Sequence, residues 1–430
     1  MDTPPRRSPL AHRDFRLLFV GSSISALGDQ FTLVALPWLV LKLTGSPAAL
    51  GLVLATMALP RAAFMLIGGA VVDRLSPRRV LLWARAINAL LIGMLTLLVF
   101  GGAIRMPVVY ALSLGIGLAT AFAYPAASAL LPRLLSPQQL QPANALMMGM
   151  RQLSLFVGPA LAGLVIGAGA APTAAAHAVV DAGGLGTAFA VDSVSFVCSL
   201  AALLLMRTRD DTHARAPEGH VLANVLGGLR AIWGDVPLRA FMLYVAGVSV
   251  FVGGPLQVGL PVLADTRLDH GAASLGILMT ANGGGMLLGG FLSGWASRLA
   301  RGRLGLMILC NDGLAGLALA ALAFDHSTVM GAALLACTGV FAGIAQVAVV
   351  SWIQRRVPPA MMGRTMSVLM FAFLGLGPLS AAFAGSLLKL VPLPAMFAAA
   401  GLALTAIALA CMGNPALRSI GTPLRVPDAA

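Results

Sequence analysis

Apolar runs of about twenty residues recur along this chain with short polar breaks between them, the spacing expected of helices that cross a bilayer. The runs fall near residues 15–41, 48–70, 80–101, 107–131, 143–168 and 186–206, and then near 239–264, 272–296, 304–323, 327–351, 363–390 and 393–413. Twelve spans are predicted. Pro37, Pro60, Pro125, Pro159, Pro255 and Pro378 lie inside these windows, and each removes a backbone donor and predicts a kink.

The polar breaks carry the orientation. With the N-terminus on the cytoplasmic side, the outer loops keep only Lys42, Arg105, Arg267 and Lys389, while Arg6, Arg7, Arg13, Arg133, Arg207, Arg355 and most other arginines fall on the inner side. Positive residues are retained in the cytoplasm during insertion, so both termini are expected there. The same asymmetry accounts for a net charge of +13 without nucleic acid, because no polar domain carries a basic stripe. At 59% hydrophobic and 10% charged residues, the chain lies far from the soluble balance and needs lipid around it. Arg outnumbers Lys heavily and Ala and Gly abound, which suggests a bacterial source and hence a cytoplasmic (inner) membrane location. The first residues, MDTPPRRSPLAHRDF, are polar and basic and precede an apolar run too long for a signal peptide, so they are expected to be retained.

The two halves repeat. SPAALGLVLAT at 46–56 is similar to GAASLGILMTA at 271–281, Gly68 and Gly69 recur as Gly289 and Gly290, and VGPALAG at 157–163 recurs as LGPLSAA at 376–382. The expected fold is therefore an all-α membrane protein of twelve transmembrane helices in two pseudo-symmetric six-helix bundles. Its expected parts are an N-terminal bundle (1–206), a cytoplasmic linker (207–238), a C-terminal bundle (239–413) and a cytoplasmic tail (414–430). Parallel repeats of this kind are a transporter signature, with the substrate expected near the midplane between the repeats.

With these features the chain resembles the major facilitator superfamily, and within it the twelve-span bacterial exporters of drugs, macrolides and siderophores. The most specific mark is the segment GGAVVDRLSPRRVLL, where the family pattern G-x-x-x-D-R-x-G-x-R-R is met by Gly69, Asp73, Arg74, Arg78 and Arg79. Ser76 stands where that pattern has Gly, and the corresponding loop of the second half has Gly294 at the Asp position. The resemblance implies that Asp73 and the arginines help hold one conformation of an alternating-access cycle, through charge contacts at helix ends. A second mark is SLFVGPALAG at 154–163, where Gly158 permits close packing and Pro159 breaks a backbone bond. In the family this Gly-Pro pair is associated with exporters. Gly377 and Pro378 repeat it in the second half, and these residues complete the expected conformational gate.

A charge inside a span costs about 2.5 to 3.5 kcal/mol even on the lenient insertion scale, so each needs a reason. Away from the window ends, six qualify by position: Asp29, Arg61, Arg85, Arg151, Asp192 and Asp312. The fold implied by the resemblance lines its cavity with spans one, two, four, five, seven, eight, ten and eleven, which favours Asp29, Arg61 and Arg151. Asp29 is roughly 14 residues into its span, about 20 Å deep. A carboxylate there, able to take a proton or to face a cation, is the minimum machinery for proton antiport. The other reading is a fixed ion pair with Arg61 or Arg151. Arg85, Asp192 and Asp312 are expected to be structural groups near the ends of peripheral spans. Gln30, Tyr124, Gln257 and Asn282 complete the expected proton and substrate cavity, among aromatic and methionine side chains suited to bulky apolar ligands.

Enzymatic chemistry is not supported: the six histidines lie in loops or tails, the only Glu is Glu218 in the linker, and no nucleophile or metal constellation forms. No G-x-x-x-x-G-K-[ST] loop is present, so energy must come from a gradient. The four cysteines have no CxxC spacing and suggest neither zinc nor disulfides. The expected protein is a monomeric exporter of small amphipathic molecules by proton antiport, with a small-molecule substrate, protons and the lipid bilayer as partners and no cofactor. Import of a metabolite by proton symport or facilitated diffusion is the alternative on the same fold.

Overall fold

The computed structural model describes residues 8–169, 182–207, 232–300, 302–357, 365, 369, 376–418 and 420, with the side chains of 65–74 outside the description. Among the described residues there is no strand. Among the described residues, eleven helices are long and apolar enough to cross a membrane: α1 (Arg13–Thr44), α2 (Pro47–Arg74), α3 (Pro77–Phe100), α4 (Met106–Leu134), α5 (Pro137–Ala168), α6 (Ala182–Leu204), α7 (Val236–Thr266), α8 (Ala272–Leu299), α9 (Leu304–Phe324), α10 (Thr328–Arg356) and α12 (Leu393–Met412). A shorter apolar helix, α11 (Leu376–Leu387), stands within the predicted window 363–390.

Local sequence sets several of the helix starts. Ser-Pro dipeptides at 46–47, 76–77 and 136–137 open α2, α3 and α5, because Pro at the first helical position loses a donor that has no helical acceptor there anyway. At α5 the Ser136 N–H also donates to Gln139 Oε1 at 3.4 Å, which satisfies one of the orphan donors at a helix start. Pro255 acts differently: α7 loosens into a π-helical turn over Pro255–Gly259. One turn earlier, the Ser380 hydroxyl of α11 accepts the Gly254 N–H at 2.7 Å and donates to the Val250 carbonyl. It thus sits in the backbone ladder at the point where the helix is disturbed.

Residue contacts divide the chain into two compact units, residues 1–221 with 270–280, and residues 222–269 with 281–430. In the first, α1 packs on α5 and α6, α3 on α4 and α6, and α2 on α4. In the second, α9 packs on α10 and α12, and α7 on α12. The pairs α3–α4, α3–α6 and α1–α6 thus recur as α9–α10, α9–α12 and α7–α12, as expected of two copies of one helical unit.

Each unit has its own apolar core. Phe15, Leu18, Leu81, Ala126, Leu130 and Leu203 pack together in the first, and Phe241, Ile308, Leu309, Trp352, Ile353 and Leu417 in the second. Outward faces are equally apolar: Trp83, Leu90 and Leu97, spaced seven apart along α3, are 70, 71 and 74% exposed. A stripe of that size facing water would be an aggregation hazard, so its proper surroundings are hydrocarbon chains.

Candidate functional site

Asp29 stands halfway along the 32-residue α1, on an exposed part of its surface. The guanidinium charges of Arg85, Arg61 and Arg151 lie within electrostatic reach of it, so α3, α2 and α5 each carry one cation in the surroundings of a single carboxylate. Arg61 is half-buried and Arg151 exposed. Asp29 makes no hydrogen bond among the described residues, so its interactions with these cations are through space.

One of the three cations comes from α3, a span expected from the sequence to lie outside the cavity. Arg85 also feels Asp192 of α6. Asp192 lies in the middle of α6 rather than near its end, and is fully buried. Thr32 of α1 donates a short hydrogen bond to Asp192 Oδ2, and the Ser195 hydroxyl donates to the Asp192 backbone carbonyl at 2.7 Å with Oδ1 at 3.3 Å. Gly28 permits this meeting of helices: a Cβ there would stand 2.8 Å from Asp192 Oδ1 and run into Ser195. Arg85 lies with its Cζ 5.2 Å from the centre of the Phe196 ring, one turn beyond Asp192, and its buried Nε has no hydrogen-bond partner. Two oppositely charged side chains read from sequence as separate peripheral features therefore belong to the same cluster as Asp29. The available signal was their position at the centre of apolar runs, where an uncompensated charge is costly.

Gln30 is buried, and its Oε1 has no hydrogen-bond partner. Gly158 of α5 lies against it so closely that a Cβ would overlap the Gln30 side chain. The second unit repeats the arrangement: a Cβ on Gly377 would stand 3.1 Å from Gln257 Nε2 of α7. Pro159 and Pro378 are buried beside these glycines. Tyr124 is 54% exposed and Gln257 is exposed within the π turn. Asn282 is half-buried and already engaged, since its Nδ2 donates to the Leu335 carbonyl at 3.3 Å and to Thr338 at 3.4 Å. It ties α8 to α10.

Of the loop motif, the side chains of Gly69, Asp73 and Arg74 lie outside the described residues. Arg78 is half-buried and bonded within its own unit: Nη2 donates to the carbonyls of Leu203 at 3.0 Å, Leu204 at 3.2 Å and Met206 at 3.0 Å. These are the last carbonyls of α6 and the residues after it, which have no helical donors, so Arg78 is the C-terminal cap of α6. Arg79 is exposed. The second unit has its own polar contacts: Tyr244 of α7 donates to Asp312 of α9 at 2.7 Å, and Arg356 at the end of α10 holds Asp235, the N-cap of α7, with two bonds of 2.8 and 2.9 Å. Among the described residues, no group of His, Cys, Asp and Glu is arranged to hold a metal ion.

Comparison with known proteins finds relatives over most of the chain. The family model described as Major Facilitator Superfamily matches residues 18–382. The chain is 27% identical over 413 residues, 94% of both chains, to the multidrug efflux pump Tap of Mycobacterium tuberculosis, and 28% identical to Tap of Mycolicibacterium fortuitum over 97% of this chain and 98% of the relative. It is 25% identical to the enterobactin exporter EntS of Shigella boydii, over 82% of this chain and 80% of that protein. Among solved structures, the nucleoside transporter NupG aligns with a TM-score of 0.69 at 14% identity, covering 93% of this chain and 98% of that one. That likeness shows the fold.

Proposed function

The chain belongs to the major facilitator superfamily and is a multi-pass membrane transporter rather than an enzyme, and on that premise we propose that it exports small amphipathic molecules by alternating access, driven by proton antiport. The direction is supported by its relatives, a multidrug efflux pump and an enterobactin exporter. The mechanism is supported by one observation, a carboxylate halfway along α1 that makes no hydrogen bond among the described residues, in the electrostatic surroundings of three arginines. Protonated, Asp29 leaves those arginines without their counter-charge; deprotonated, it offsets one of them. The local field therefore changes by a full unit of charge when the proton binds, and a change of that size in a low-dielectric setting is enough to bias two conformations.

In this reading Asp29, Gln30, Arg61, Arg151, Tyr124 and Gln257 line the path of proton and substrate, while Asn282 holds α8 to α10. Gly158 with Pro159, and Gly377 with Pro378, are the packing points at which each unit's first helix meets its fifth. Gly69, Asp73, Arg74 and Arg79 belong to the cytoplasmic gate, and Arg78 anchors their loop to α6. The protein would act as a monomer in the bacterial cytoplasmic membrane with both termini inside, an orientation supported by the sparse positive charge of the outer loops. The bundle, linker and tail boundaries at 206, 238 and 413 belong to the same proposal, supported by the repeated helix pairings.

Everted membrane vesicles test the direction and the coupling together. With a panel of macrolides, ethidium and enterobactin, an imposed proton gradient should drive accumulation of at least one probe, and Asp29→Asn should abolish it. Accumulation instead in right-side-out vesicles would establish import. Normal gradient-driven accumulation by Asp29→Asn would remove Asp29 from the mechanism.

A further inference from the structure

The stretch after residue 413, expected from the sequence to be a cytoplasmic tail, begins as a built part of the second unit. α12 ends at Met412, and Asn414 and Pro415 turn the chain: Asn414 Oδ1 accepts the Ala416 N–H at 2.9 Å, and the Asn414 carbonyl accepts the Arg418 N–H at 3.1 Å. One helical turn results, α13 (Pro415–Arg418), with the side-chain cap and leading proline that favour it locally. It packs on α7, α9 and α12. Leu417 and Ile420, three residues apart, are only 3% and 1% exposed and join Phe241, Tyr244, Ile308 and Leu309 in the apolar core.

Backbone contacts fix the segment there. Gly305, the second residue of α9, donates its N–H to the Ile420 carbonyl at 3.0 Å. That N–H belongs to the first turn of the helix, where no intrahelical acceptor exists, and the N-cap residue Arg303 makes no side-chain bond to the turn. A Cβ on Gly305 would overlap the Leu417 carbonyl, so the backbone after α12 lies directly on the glycine. The space left between Leu417, Ile420 and the rings of Phe241 and Tyr244 is too small for a water molecule. The Tyr244 hydroxyl donates to Asp312, two turns along α9 from Gly305. Water admitted at this end of the unit would compete for that bond.

We propose that Pro415–Ile420 is a clasp rather than a free tail: it supplies the missing cap of α9 through the Ile420 carbonyl, and it seals the Tyr244–Asp312 bond from water at the end where α7 and α9 begin. Each part follows from a different contact. The cap is a backbone bond to Gly305, whereas the seal is the apolar closure by Leu417 and Ile420. Releasing the clasp should therefore expose two groups at once, the amides of the first turn of α9 and the Tyr244 hydroxyl.

The test uses the full-length protein in lipid nanodiscs and follows deuterium exchange at residues 305–308, together with exchange of the Tyr244 hydroxyl, read from the infrared band that Tyr244→Phe removes. Leu417→Ser and Ile420→Ser weaken the seal, and Gly305→Ala displaces the clasp without altering it. All three should accelerate exchange at 305–308 about tenfold or more, and the hydroxyl should exchange faster in the same variants. Gly313→Ala is the control on the same helix, since a Cβ there meets Ala408 only at an ordinary 3.8 Å; it should change neither rate. Amide exchange as slow as wild type in all three variants overturns the cap, and an unchanged hydroxyl rate in variants whose amides have opened overturns the seal. Should a serine variant fail to fold, Gly305→Ala decides by the same two readings. Neither measurement uses a gradient or a substrate, so its result is separate from that of the vesicle assay.

Discussion

Gly158 of α5 rests on Gln30 of α1 with no room for a side chain between them. The glycine of the span-five Gly-Pro pair is therefore required by a contact and not only by flexibility: hydrogen is the one substituent that lets the backbone of α5 reach the stem of a buried glutamine. In the second unit the corresponding contact is looser: a Cβ on Gly377 would stand 3.1 Å from the terminal amide nitrogen of the exposed Gln257.

Gly158→Val should consequently lower the melting temperature of the purified protein and reduce transport. A branched side chain in that contact overpacks it, at a cost of about 1–3 kcal/mol. The same substitution at Gly149, where a Cβ meets nothing within 4 Å, is the control and should leave the melting temperature within about a degree of wild type.

Removing Arg78 should destabilise more than it uncouples. Arg78→Ala strips the donor from three carbonyls at the end of α6, a loss of about 1–3 kcal/mol. Thermal unfolding in detergent should show the drop, whereas the amount of probe moved per proton by the surviving protein should equal wild type. An altered ratio of probe to proton would place Arg78 in the coupling machinery instead.

Asp235 and Arg356 predict a pH dependence with a definite sign. Partial burial acts to raise the Asp235 carboxyl, but the hydrogen bonds from Arg356, the Leu238 N–H and the Arg356 charge outweigh it, and the group is held below its usual carboxylate range. A depressed folded value means the pair's stabilisation is present above the unfolded value of about 3.9 and is lost as pH falls through the lower, folded value. Asp235→Asn should therefore cost about 1 kcal/mol near neutral pH. The gap from wild type should close as unfolding is measured toward pH 3. A gap that stays constant down to that pH would show that the carboxylate charge contributes nothing.

Ser380 makes two bonds into the disturbed ladder of α7, to Gly254 N–H and the Val250 carbonyl. Ser380→Ala leaves both backbone groups without that partner and should cost about 1–3 kcal/mol. Hydrogen exchange measured along α7 should accelerate around Gly254, and unchanged protection there would show that the backbone satisfies itself without the hydroxyl.

Most of the spans and the repeat of the helical unit were legible in the chain alone. The spans follow from a constraint that acts locally: hydrocarbon requires about twenty apolar residues per crossing. Asp29 was legible for the same reason, since an ionisable group in the middle of an apolar run stands out wherever the run ends up. What the sequence could not rank was partnership. Arg85 and Asp192 are more than a hundred residues apart, and nothing in either window states that Gly28 opens the space through which α6 approaches α1, or that Thr32 faces Asp192. Likewise the arginines after Asp73 read as one block of charge, while the fold gives Arg78 a fixed task at the end of α6. Contacts between helices depend on which small residue opposes which large one, a property of two faces brought together. Only the tertiary structure decided that Asp192 is bonded to Thr32 beside Gly28, one residue from Asp29.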